Sequence, residues 1–517
     1  MTYGVDLATS YRVFDQDPAN YLYSTPHGQD TVARLWELEE KLFIGKEWKL
    51  KVPVRDVSTT GTVQKLNIFN DGELRKFLGD VCPRNDSNIT LSTAYKPDQK
   101  CRFIHLCMAS TIGPLELDVR MLLRLMTFYQ VMPQFLDFLY VYASSHGRDR
   151  ELRFSGFRTE KVLGDAAPGS IIPELGRSGR RYQLCLNLKT VAKKNDGDWK
   201  VRQATIHHQF DVGQGTQLWM IGDPHAVLKE RTARLFQAGN IYPTSFSTMQ
   251  QGFASSLQVH LDFIQWASSD WRWHILFLEE IAEELTKPVR LREKAHIEKL
   301  EPASLGDVQK WEEKTNDTIM AMESNVNIMR LLQKFYKELV RDDRFPQRER
   351  PQCSQAVKGF SFQLEEFISE TQMQIVRAKF LAKVVADRKT ILIQHLQTQS
   401  AIISSKLAAT MYEQADRSAM EAIAVRIVTV VTLIYLPATF SSTFFSTDVV
   451  KYQGGEVFSR IALERFLEVT VPLMLLTFVP AGIWFSVEWR RRTRKSIKIK
   501  NHFIDLFSNE ADRSLLQ

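Results

Sequence analysis

Residues 427–445 read IVTVVTLIYLPATFSSTFF, and residues 469–487 read VTVPLMLLTFVPAGIWFSV. Each run is 19 residues long and carries no charge. As a helix rising about 1.5 Å per residue, each is long enough to cross roughly 30 Å of hydrocarbon. A buried hairpin in a soluble core is the other arrangement of two such helices, but core helices rarely stay free of charge for so long. The flanks also favour a membrane. After the second run come Trp489 and seven basic residues: Arg490, Arg491, Arg492, Arg494, Lys495, Lys498 and Lys500. The sequence therefore predicts a large body ending in a two-helix membrane hairpin. Arg490, Arg491, Arg492, Arg494 and Lys495 are its expected anchor to the lipid headgroups.

That basic cluster equals the formal net charge of +7, so the rest of the chain is close to neutral. A nucleic-acid partner, which needs a basic face on a folded domain, is not expected. Charge counting also gives a topology. The link between the runs holds three basic residues, Lys451, Arg460 and Arg465, against seven in the tail. Two spans place both termini on one side, and the positive-inside rule makes that side cytosolic. The expectation is a multi-pass membrane protein with cytosolic N- and C-termini, in a membrane the sequence does not specify. Met1 to Tyr23 holds Asp6, Asp15 and Asp17 and no apolar core, so neither a signal peptide nor an Arg-rich transit peptide is read there. The five cysteines are scattered without a C-x-x-C pair, as expected of reduced thiols in a cytosolic domain.

The expected organisation is a cytosolic α/β domain over 1–240, a helical and stalk region over 241–426, a first span over 427–445, an outer loop over 446–468, a second span over 469–487 and a basic tail over 488–517. In the first part, Tyr182, Leu184, Leu186 and Leu188 alternate with polar neighbours, as in a half-buried strand. A second strand runs from Trp199 to Phe210 and a third from Leu218 to Ile221, making an antiparallel meander. Arg102 to Met108 is another strand. Leu115 to Tyr142 reads as helix broken at Pro133. Ser255 to Leu285 and Val308 to Val340 read as amphipathic helices, and Arg341 to Pro351 as a loop. Beyond about Gln355 the pattern stays helical into the first span, with a narrow apolar stripe at Leu392, Leu396, Ile403, Leu407 and Met411.

Catalytic constellations are poor, and no enzyme is expected. His207 and His208 are adjacent on a strand, so they point to opposite faces and suit a core better than a shared metal. The glycine-rich basic stretch Pro173 to Arg181 lacks the arrangement of a phosphate loop and reads as a loop entering a strand.

The first span is different. Thr432, Thr439, Thr443 and Ser446 fall at steps of seven, four and three, so they share one helical face with Leu436. Small hydroxyls gain nothing from lipid. They either pack against a neighbouring helix or line a wet pore. Asp448 follows at the outer mouth.

Leu436-Pro437-Ala438-Thr439-Phe440, together with the order of parts, resembles the CorA-type divalent-cation transporters. The resemblance covers roughly residues 390–495. The Arg177 to Phe210 region and the Ser418-Ala419-Met420 approach resemble the fungal CorA-like subfamily. It implies a homopentamer, with the first span of each copy lining one pore. It also implies magnesium or another divalent cation as transported ion, with no covalently bound cofactor. Ser446, Thr447 and Asp448 stand where the family has Gly-Met-Asn. On the resemblance, Asp448 is the metal-collecting residue, Thr447, Ser446, Thr443, Thr439 and Thr432 line the ion path, and Leu436, Val428 and Val425 form the hydrophobic gate. Membrane lipid and further copies of the same chain are the implied partners. A non-conducting, membrane-anchored scaffold or sensor derived from the same architecture stands as the alternative.

Overall fold

The computed structural model describes residues 6–26, 28–45, 50–59, 61–81, 93–94, 96–108, 113–143, 153–166, 169–195, 197–224, 227–236, 245–291, 302–446, 460, 463–484, 486–487 and 490. The chain divides into two compact units, residues 1–396 and 397–517.

The first unit is built on a seven-stranded sheet. Three short helices, α1 (Leu7–Arg12), α2 (Asn20–Tyr23) and α3 (Gly28–Leu42), precede strands β1 (Val52–Val57) and β2 (Val63–Ile68). Then come α4 (Asp71–Leu78), the two-residue strands β3 (Asp80–Val81) and β4 (Thr93–Ala94), β5 (Cys101–Met108), α5 (Val119–Tyr129) and α6 (Phe135–Leu139). Strands β6 (Phe157–Val162), β7 (Arg181–Lys193), β8 (Trp199–Asp211) and β9 (Gln217–Pro224) complete the sheet, in the order β2-β1-β5-β9-β8-β7-β6. The meander read from the sequence is β7-β8-β9, antiparallel throughout, while β5 pairs β9 in parallel.

Both faces of this sheet are covered, which is why β5 and β9 are buried along their whole length. Side chains alternate between two cores. Ile104, Leu106, Leu218 and Met220 face a cluster with residues of α1 to α6. Phe103, Trp219, Ile221, Leu184 and Ile206 face the other, which is closed by helices α8 (Met249–Ser268), α9 (Trp271–Leu291), α10 (Pro302–Leu339) and the first part of α11 (Arg350–Ser446). A shorter helix, α7 (Val227–Leu235), follows β9. His207 and His208 divide between the two cores as expected. His207 Nε2 meets Gln183 Oε1 at 2.9 Å, whereas His208 stacks on Trp219 with ring centroids 3.9 Å apart.

Three buried arginines tie strands, helices and loops together in this frame. Arg102 grips Asp56, its cross-strand partner, at 2.6 and 2.7 Å and reaches the Tyr129 hydroxyl at 2.7 Å. Arg124 holds Asp71 in the same forked way, and Arg177 holds Asp98 at 2.6 and 3.1 Å. The basic stretch from Pro173 to Arg181 is a 3-10 turn and loop entering β7, and its Arg177 is taken by the chain's own carboxylate. Before β6 begins, opposite Lys189, Asn325 of α10 acts as the partner of β7. Its amide accepts from Lys189 N–H at 3.0 Å and donates to Lys189 C=O at 2.6 Å.

Three local expectations need correction. The helix read over Ser255 to Leu285 is two helices, α8 and α9, divided at Ser269–Asp270, where Asp270 adopts φ 66°. The break in Leu115 to Tyr142 comes at Gln130, which caps α5 with φ 50°, three residues before Pro133. Helix also resumes at Arg350, inside the stretch read as loop.

Buried imidazoles make the first unit acid-sensitive. Burial holds His105, His207 and His260 down at about 3 and His274 at about 4, against roughly 6.5 in an unfolded chain. The unfolded chain therefore takes up these protons first. The stability they contribute is fully present above about pH 6.5 and is lost as the pH falls toward the folded values, at about 1.4 kcal/mol per histidine per pH unit. Asp223, pushed up to about 7 by burial, runs the other way and offsets one histidine as the pH falls from 7. The midpoint of thermal unfolding, followed by circular dichroism in detergent, should fall between pH 7.5 and 5.0. An equal or higher midpoint at pH 5.0 would contradict the neutral buried histidines.

Candidate functional site

The C-terminal unit contains the end of α11 and a second apolar helix, α12 (Leu463–Trp484). Both are long and apolar enough to cross a membrane, with windows of mean hydropathy 1.9 and 1.8. Pro437 lies inside α11 without ending it. Proline has no N–H, so the carbonyl of Leu433 loses its usual helical donor there.

The threonines of α11 turn their hydroxyls back onto the helix. Thr432 Oγ1 donates to Thr429 C=O at 2.9 Å, Thr439 Oγ1 to Tyr435 C=O at 2.8 Å, and Thr443 Oγ1 to Thr439 C=O at 2.6 Å. Each proton is thereby used within the helix. The oxygen keeps acceptor capacity on its outer side.

Exposure divides α11 into faces only beyond Thr432, since every residue from Ala401 to Thr432 is exposed. At about 100° per residue, Val425, Val428, Thr432, Leu436, Thr439, Thr443 and Ser446 fall within about 40° of the Thr432 direction. All seven are exposed, Leu436 by 69%, Val428 by 61% and Val425 by 66%. Pro437 is buried and Ser441 is only 1% exposed. These two lie about 140° and 180° from Thr432, on the far side of the helix. In α12, Thr470 is buried, and Leu473, Met474, Thr477 and Ala481 are half-buried at helical spacing. Each helix thus keeps one narrow face out of solvent and leaves the rest bare.

The expected site residues fall into this frame unevenly. Thr432, Thr439, Thr443 and Ser446 share one face with Leu436, Val428 and Val425. Thr447 and Asp448 lie outside the described residues, as do Arg491, Arg492, Arg494 and Lys495. Arg490 is described and exposed. Of the stripe read along the stalk, Leu392 and Leu396 pack in a small cluster with Leu278, Ala282, Val308, Leu381 and Val385. Ile403, Leu407 and Met411 are bare. Sequence reasoning did not single out the shielded face with Pro437, Ser441 and Thr470, because small polar residues and proline carry no apolar signal. Among the described residues, no group of three or more His, Cys, Asp or Glu is placed to hold a metal ion.

The CorA-like transporter family model matches residues 9–290. Among solved structures, the chain is similar to the CorA magnesium transporter from Methanocaldococcus jannaschii. The identity is 10% and the TM-score 0.35, over 83% of this chain and 96% of the other. It is also similar to the full-length CmaX protein, at 10% identity and a TM-score of 0.33, over 84% and 99% of the two chains. The ZntB cytoplasmic domain from Vibrio parahaemolyticus RIMD 2210633 matches at 11% identity and a TM-score of 0.28, over 64% of this chain and 97% of the domain. Scores this low fix no common arrangement of parts. No curated protein matches the sequence. The family match spans more than half of the 517 residues, and the chain belongs to the CorA-like transporters.

Proposed function

We propose that this chain conducts a divalent cation, with magnesium as the cargo the family resemblance suggests, through a pore lined by the first membrane helix of each copy in a homopentamer. The observation that carries this reading is the bare face of α11, with its hydroxyl and apolar positions on the side opposite shielded Pro437 and Ser441. Two helices in one chain cannot enclose an aqueous path, so a path along this face needs several copies. Hydroxyl oxygens with spare acceptor capacity suit the water shell of magnesium, which dehydrates reluctantly. Leu436, Val428 and Val425 form a hydrophobic constriction that closes by dewetting.

The family ends this helix with aromatic-Gly-Met-Asn, and Phe445, Ser446, Thr447 and Asp448 stand there in this chain, which we assign to a fungal CorA-like subfamily on its Arg177 to Phe210 region and Ser418-Ala419-Met420 approach. A ring of Asp448 carboxylates attracts divalent cations more strongly than a ring of amides, and a site that binds too well releases slowly. That substitution is also what favours the second reading, an anchored scaffold or sensor that no longer conducts.

The basic tail supports a cytosolic side for both termini, with Arg490, Arg491, Arg492, Arg494 and Lys495 as the proposed anchor at the lipid headgroups. An impermeant thiol reagent added outside cells should label Gln453→Cys, and should label Ser508→Cys only after permeabilisation. The opposite pattern would overturn this topology.

Flux from purified protein in liposomes tests the pore. Asp448→Asn should keep or raise magnesium flux. Asp448→Ala should weaken divalent affinity by about tenfold, or about 1.4 kcal/mol. Leu436→Ser should leak by wetting the constriction. Pentameric, folded protein that passes no cation in any of these forms would leave the scaffold reading; a monomer or dimer by native mass measurement would exclude the pore.

A further inference from the structure

The angular row of Thr432, Val428 and Val425 continues toward the N-terminus, through a part of α11 where every residue is exposed. One turn further toward the N-terminus, at about 20° from the Thr432 direction, lies Glu421. It is exposed, and it is the one carboxylate on α11 between Asp416 and Ser446. Asp416 itself falls about 160° away, on the other side of the helix. The nearest basic residue within helical reach, Arg417, is taken: its guanidinium meets Glu413 at 2.6 Å. That choice follows from helix geometry, because an acid four residues N-terminal to a base is the favoured order, and Arg417 before Glu421 is the reverse. Glu421 has no ion-pair partner among the described residues. It lies about 6 Å along the axis from Val425 and about 38 Å from Ser446, just beyond the uncharged run that starts at Ile427.

We infer that Glu421 is the carboxylate that sets cation-over-anion preference at the cytosolic mouth of the ion path. The inference rests on the pore reading above. Copies that present the Thr432 face to a common axis also present Glu421 to it, and the carboxylates then form a ring of negative charge in front of the Val425 constriction. Such a ring concentrates divalent cations and repels anions without holding a dehydrated ion. Its reach is that of exposed charge, about 10 Å at 0.1 M salt and about 3 Å at 1 M.

The test uses full-length protein in liposomes under a magnesium chloride gradient, with Leu436→Ser as the wetted reference. At low salt Glu421→Gln should lower magnesium flux and cation-over-anion permeability severalfold, and Glu421→Lys should lower both further. Glu421→Asp should behave as the parent, and the differences should shrink at high salt. Geometry is read separately by oxidative cross-linking between copies. Glu421→Cys should cross-link, whereas Ile423→Cys, on the opposite face, should not. If parent and Leu436→Ser conduct while the Gln and Lys variants match them at every salt concentration, the role of Glu421 is overturned and the pore stands. If neither conducts and both cysteine variants cross-link equally or not at all, the pore reading falls and takes Glu421 with it.

Discussion

A polar group taken out of water must find its partner inside the protein, and the sheet unit of this chain answers that constraint at its buried arginines. In the sheet unit, covering both faces leaves little solvent for any charge that strands, helices or loops carry inward. Arg102, Arg124 and Arg177 each meet a carboxylate with a fork of two hydrogen bonds, and Asn325 satisfies both backbone groups of Lys189 beyond the start of β6. In the membrane-length helices the exposed threonines find their partner within one helix, whereas the buried hydroxyls of Ser441 and Thr470 have none among the described residues. The hydroxyls of Thr432, Thr439 and Thr443 donate to carbonyls three or four residues back. Threonine is thus admitted to an apolar span at little cost, and it brings an oxygen that still accepts.

Period-two alternation made the meander legible, because β7, β8 and β9 put different side-chain sets into two different cores. The same rule separated His207 from His208 correctly. What the sequence did not disclose were breaks set by backbone conformation. Gln130 and Asp270 both adopt positive φ, and neither is glycine, so no turn residue announced the end of α5 or the start of α9. Proline at 133 drew attention because it is a strong local signal, yet the helix had already been capped. The small N-terminal helices α1 to α3 were also not read. Their apolar residues are spread over short segments whose burial depends on the sheet they cover.

The candidate site was legible in a similar half-measure. Spacing alone placed Thr432, Leu436, Thr439, Thr443 and Ser446 on one face, since a long helix keeps its period. It did not say which way the opposite face looked. Pro437 and Ser441 are shielded by packing, a tertiary property, and a proline and a serine carry no pattern from which that follows. Glu421 escaped notice for another reason. It lies outside the uncharged run, so hydropathy assigns it to the flank, and only its angular position joins it to the residues beyond Val425.

The division of faces also bears on why the span is built from Thr, Leu and Val rather than from charged groups. A carboxylate within the hydrocarbon depth costs several kcal/mol per copy unless it is hydrated or paired. On the pore reading, several copies around one axis would multiply that cost and add mutual repulsion. Hydroxyls that donate to their own helix avoid both penalties and leave acceptors to a hydrated cation. Charge is then best kept at the two ends of the uncharged run, where water is present. The sequence keeps charge to the ends: no Asp, Glu, Lys or Arg occurs from Ile427 to Thr447, Glu421 and Arg426 precede the run, and Asp448 follows it. On the pore reading, the ends select by sign and the middle controls passage by wetting. Selection and gating then reside on different residues, and each can change without rebuilding the other.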